Sequence, residues 1–193
     1  MEYYAVGFNL PSISMKMFGG SFLYAILGAI FFNIFGMIGG SCAVWKIRKV
    51  GARKMAIMGF IIVLLSILGF WLGGSKLPIP IQVLLVGTFI IGHSFGPAAN
   101  SNTMAALGFP TRMRGMAVGW SHSMIRVGSI VGFFFFPLVM ARVGLQKMML
   151  WLAIFPFIGL LAALSIKWEP VGKDIEGEDE AIRKQAAAAG RGI

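Results

Sequence analysis

The chain has 193 residues, of which 58% are hydrophobic and 12% charged, and its mean hydropathy is +0.82. A water-soluble domain has too little interior to hide that much apolar surface, so the sequence is written for lipid. Membrane spans of roughly 20 residues with about 10 residues of connection fit five to six times before Lys167, which excludes a single-span receptor and a soluble enzyme.

The charges are segregated. The seven carboxylates are Glu2 and then Glu169, Asp174, Glu176, Glu178, Asp179 and Glu180, so none lies between Tyr3 and Trp168. Twelve Lys and Arg precede Lys167, and the +10 balance belongs to that apolar part. They sit in short clusters between apolar runs, the pattern that orients helices in a bilayer rather than one that grips nucleic acid. One cysteine, Cys42, allows neither an internal disulfide nor a thiolate metal cluster.

In chain order, residues 1–20 come first, with about 15 residues and Pro11 before Lys16. That is too short to cross alone and lacks the basic start of a signal peptide. It reads as a partial transmembrane helix and an outside loop, and the functional polypeptide is expected to begin upstream of Met1. Between Lys16 and Lys46 lie 29 uncharged residues that predict a span at about 22–45. Further spans are predicted at about 55–74, 81–104, 116–141 and 148–166, making a five-span bundle over 21–166. Residues 167–193 form a polar tail in which 174–189 carries a helical pattern.

Lys46, Arg48, Lys49, Arg53, Lys54, Arg112 and Arg114 fall in loops on one side, against Lys16, Lys76, Arg142 and Lys147 on the other. The positive-inside bias places the first set and the C-terminus in the cytoplasm of a multi-pass protein, expected in the cell membrane.

In lipid, helices pack through small residues. Ala29, Asn33, Gly36 and Gly40 form one such stripe, and Gly59, Ser66, Gly69 and Gly73 another. Polar stripes carry more information. His93, Pro97 and Asn100 share a helix face, and Gly115, Gly119, His122, Arg126 and Ser129 share the next. A charge facing lipid costs at least about 2.5 kcal/mol, so these faces are expected to look into the bundle or an aqueous cavity. Arg126 reads either as ligand-facing or as a structural cation that bonds helix carbonyls or snorkels toward the surface. His93 and His122 read either as site residues or as interhelical hydrogen-bonders. Two histidines with no acid or thiol beside them support no metal site. Without a membrane carboxylate or a nucleophile and base pair, catalysis is not expected, nor is a cofactor.

Four segments carry a family resemblance. GFPTRMRG, Gly108 to Gly115, followed by GWSHSMIRVGS, resembles the FPTRxRG segment and the downstream element that open the eleventh helix of sugar-porter-like and metabolite:proton symporters of the major facilitator superfamily. GPAANSNTM, Gly96 to Met104, is similar to the tenth-helix motif of that group. RKVGARK, Arg48 to Lys54, resembles its loop after helix eight, and KWEPVGKDIEGED its segment after helix twelve. YYAVGFNLPSI, Tyr3 to Ile13, is similar to the second part of helix seven.

The resemblance implies an all-α membrane fold, a major-facilitator-type bundle with five complete transmembrane helices, eight to twelve, plus part of a sixth. It implies a proton-linked secondary carrier of a small polar or anionic metabolite, working by alternating access with an N-terminal six-helix half. Tyr4, Asn9, Asn33, His93, Asn100, His122 and Arg126 are then the expected solute wall. Arg48, Lys49, Gly51, Arg53, Lys54, Arg112, Arg114 and Gly115 are the expected cytoplasmic gate and topology determinants. Three departures stand out: Arg48 replaces the loop's Asp, Leu107 the Glu before FPT, and Asn100 the Trp of sugar-type carriers, so hexose specificity is not implied. The rival reading is a truncated, non-transporting membrane protein that only associates with partner helices.

Overall fold

Lipid offers no hydrogen-bond partner to the backbone, so each apolar run closes its own as a helix. The computed structural model describes residues 3, 6, 7, 9–18, 21–73, 76–188 and 190, and among these there is no strand. The helices are α1 (Leu10–Phe18), α2 (Phe22–Val50), α3 (Ala52–Gly73), α4 (Ile79–His93), a π-helical turn (Ser94–Ala98), α5 (Ala99–Leu107), α6 (Thr111–Gly144), α7 (Gln146–Ser165) and α8 (Ile175–Ala188). With α4, the π turn and α5 counted as one crossing, five helices are long and apolar enough to span a bilayer.

Several spans outrun the charge-free windows. The first continues to Val50 instead of about 45, the third to Leu107 instead of about 104, and the fourth runs from Thr111 to Gly144 instead of about 116–141. The reason is that helical hydrogen bonding persists into the polar ends, which hydropathy does not register. The fourth span has 34 residues, or about 51 Å of helix. Even at the largest usual tilt of about 40° that exceeds a hydrocarbon core of about 30 Å, so part of α6 stands outside it.

Chain alternation puts Gly51, Thr111 and Ile166 at one end of the bundle, here called the basic end, and Pro78 and Gly144 at the other. The core joins five helices at Phe32, Ile67, Ile90, Phe136 and Leu152, all essentially without solvent exposure. Small residues set the closest crossings. A Cβ placed on Gly59 would lie 2.5 Å from the Gly96 Cα and 2.7 Å from the Gly92 carbonyl, so α3 and the π turn touch backbone to backbone. On α2 the contact glycines are Gly36 and Gly39. A Cβ on Gly39 would meet the Ile91 carbonyl at 2.6 Å, whereas Gly40 faces open space and Asn33 is exposed, so Ala29 and Gly36 of the expected stripe pack and Gly39 takes the place of Gly40.

Gly144 turns the chain with φ +79°, and α7 runs back along α6. Gln146 ties this turn to the end of α3 by donating to the Trp71 carbonyl at 2.6 Å.

Candidate functional site

The polar residues of the membrane segment are distributed in depth rather than gathered at one point. Asn33 lies eight residues into the first span and is exposed, with its Nδ2 donating to the Ala29 carbonyl at 2.8 Å. His93 stands at the midpoint of the Ile79–Leu107 span and is 9% exposed. Its ring stacks on Tyr3, with centroids 4.4 Å apart and planes 6° from parallel, which joins the N-terminal segment to the third span. Asn9 forms the turn that opens α1, its carbonyl accepting from the Ile13 amide at 2.9 Å. Tyr4 lies outside the described residues.

The helix changes character immediately after His93. Pro97 has no N–H to return to the His93 carbonyl, and Gly96 is pressed against Gly59, so the backbone widens into the π turn Ser94–Ala98. Asn100, fully buried, mends the break: its Nδ2 donates to the Gly96 carbonyl at 2.7 Å and to the Phe95 carbonyl at 3.4 Å. Its Oδ1 is buried with no partner among the described residues.

His122 and Arg126 share a face of α6, and both are exposed on this chain rather than enclosed by it. Arg126 stands near the midpoint of the Thr111–Gly144 span, and His122 one turn nearer its basic end. The structure brings Tyr3 and His93 together, whereas Asn33 and Asn100 each turn their amide to carbonyls of their own helix.

At the basic end the loop residues form a bonded layer. Gly51 makes the turn between α2 and α3 at φ +90°, a region that a Cβ disfavours. Arg48 and Lys49 occupy the last turn of α2, where cations complement the negative end of the helix. Arg53 donates to the Ala163 and Leu164 carbonyls at the end of α7, at 3.3 and 3.2 Å. Glu169 accepts from the Ala52 and Arg53 amides at the start of α3, both at 2.9 Å. Lys54 is exposed, and Gly115 faces open space.

The tail helix α8 docks on the start of α6. Glu176 accepts from the Thr111 amide at 2.6 Å and from the Thr111 hydroxyl. Arg114 lies 3.5 Å from Glu176, and Arg112 pairs with Asp179 at 2.9 Å. These bonds, the Thr111 hydroxyl first, hold the Glu176 carboxyl below its ordinary pKa. Sequence reasoning missed Glu169, Glu176 and Asp179 as partners. The available signal was that the only carboxylates after Glu2 lie in the tail, on the same side as both basic loops.

The model of the Major Facilitator Superfamily matches residues 1–188. The chain belongs to the major facilitator superfamily. Among curated relatives it is similar to the glucose transporter GlcP of Staphylococcus epidermidis, 27% identical over 173 residues that cover 85% of this chain and 38% of the relative. It is 25% identical over 180 residues to the putative metabolite transport protein YwtG of Bacillus subtilis, covering 86% of this chain and 38% of that protein. It is 30% identical over 142 residues to the probable inorganic phosphate transporter 1-6 of Arabidopsis thaliana, covering 69% of this chain and 27% of that one. This superfamily member is a multi-pass membrane protein, and it spans about 38% of the length of the first two relatives.

Proposed function

We propose that this chain forms the C-terminal half of a secondary carrier for a small polar or anionic metabolite, proton-coupled and working by alternating access at the cell membrane. The observation that carries the reading is the π turn between His93 and Asn100. Broken helices at membrane depth are where carriers of this architecture present backbone and side chains to solute. The exposed residues Asn33, His122 and Arg126 then look toward the N-terminal half, on which the chain also relies for a coupling carboxylate. Arg126, near the middle of its span, favours an anion in the path.

The layer of Gly51, Arg53, Arg112 and Arg114 serves as the cytoplasmic gate in this reading. The test is uptake by proteoliposomes that contain the chain joined to a six-helix N-terminal half, with a hexose, inorganic phosphate and a panel of organic anions offered under an imposed pH gradient. Anion uptake that collapses with the gradient and falls at least tenfold in Arg126→Ala supports the proposal. Uptake of hexose alone, or anion uptake indifferent to Arg126, overturns the solute assignment. Absence of uptake for every solute by a correctly inserted assembly favours the rival reading, a helix-binding protein that does not transport.

A further inference from the structure

At the end opposite the basic loops, α6 and α7 leave a groove of about 390 Å³ between them, and no polar atom is exposed to it. That volume is more than twice the roughly 150 Å³ that admits a benzene ring. A second apolar groove of about 430 Å³ lies on the other side of Trp151, against Leu64 and Leu68 of α3. Trp151 and Ile154 line both, so the two grooves flank one ridge of α7.

Two cations crown this ridge. Val131, Phe135 and Val139 line the first groove from α6, and Arg142 continues their spacing of 4, 4 and 3 residues along the same helix face. Trp151, Ile154 and Phe155 line it from α7, and Lys147 stands one turn above Trp151 on that face. Arg142 and Lys147 are both exposed, and the sequence has no carboxylate between Tyr3 and Trp168 to neutralise them. A partner helix would be a poor occupant. Helix contacts in lipid favour small residues, whereas nearly every side chain lining the first groove is bulky, Gly132 being the exception.

We propose that the site holds one anionic glycerophospholipid, its phosphate on Arg142 and Lys147 and its two acyl chains on either side of Trp151. Two cations above an apolar cleft offer a lipid phosphate charge-assisted hydrogen bonds, the same chemistry by which basic pockets between spans hold anionic headgroups on the cytoplasmic side. The inference is independent of the transport reading, since it requires only a chain embedded in lipid.

The experiment uses the 193-residue chain in nanodiscs of equal parts phosphatidylglycerol and phosphatidylcholine, each with a photoreactive group near the end of one acyl chain. Cross-links mapped by peptide mass separate this groove from the distant basic loops. We expect labelling within residues 131–155, with phosphatidylglycerol preferred. The double variant Arg142→Gln/Lys147→Gln should erase that preference, a drop of roughly thirtyfold for two headgroup contacts. Val131→Phe, which fills the groove, should reduce labelling by both lipids. Equal labelling by the two lipids, indifference to the charge variant, or indifference to the filling variant overturns the proposal. So does labelling that vanishes once an N-terminal half is joined to the chain, because protein then covers the groove.

Discussion

Arg53 and Glu169 close two helix ends reciprocally: the guanidinium on α3 bonds the last carbonyls of α7, and the carboxylate that follows α7 bonds the first amides of α3. Orphan helix-end groups are satisfied at both ends by one reciprocal arrangement. Glu169→Ala is expected to cost about 1–2 kcal/mol, the worth of a lost cap, and Glu169→Gln less because an acceptor remains. Thermal denaturation in detergent, followed by helical circular dichroism, orders the variants. A Glu169→Ala midpoint equal to that of the wild type counts against the capping role.

The crossing of Gly59 on Gly96 permits no Cβ without backbone movement. Gly59→Ala and Gly96→Ala are each expected to lower the folded yield severely, while Gly40→Ala, which faces open space, should be neutral. Monodispersity on size exclusion reads this directly, and a well-folded Gly59→Ala protein is the contrary result.

Asn100 has a buried Oδ1 without a partner among the described residues, so its side chain is not optimised for stability alone. Asn100→Leu is expected to cost about 1–3 kcal/mol of stability, because the Gly96 and Phe95 carbonyls lose their donor, and to reduce transport by the joined carrier at least tenfold. Full transport by a correctly folded Asn100→Leu carrier would make Asn100 a packing residue only.

The docking of α8 is electrostatic and exposed, so each ion pair contributes little by itself, and salt weakens it. Because the Glu176 carboxyl titrates below its ordinary range, its contribution is fully present above the ordinary glutamate value of about 4.3 and is lost as pH falls through the lowered one. A spin label at Ala186 should be immobilised at pH 7, and freed by high salt, by acid or by Arg112→Ala/Arg114→Ala. That double variant should impair turnover more than solute affinity. A label equally mobile under all these conditions would contradict the docking.

The five spans were legible because lipid imposes a single demand, long runs without charge, that shows in any window between Lys16 and Lys167. The π turn was partly legible, since Pro97 and Gly96 mark an interruptible helix. The exact glycine contacts were not. A period of 3.6 leaves neighbouring positions such as Gly39 and Gly40 nearly equivalent until a partner helix selects one. The Tyr3 stack on His93 and the two tail carboxylate contacts join residues far apart in sequence, where no local pattern records them.

α6 is one continuous helix from the tail-bound Thr111 to Gly144, longer than the bilayer is thick. Pro137 is the place where it can bend, and the stretch from Thr111 to Pro137 holds no other proline. A swing of that stretch would sweep the Thr111 end and carry α8 along, so the tail would work as a pointer. A fluorophore there would report conformational cycling of the spans without touching the solute path.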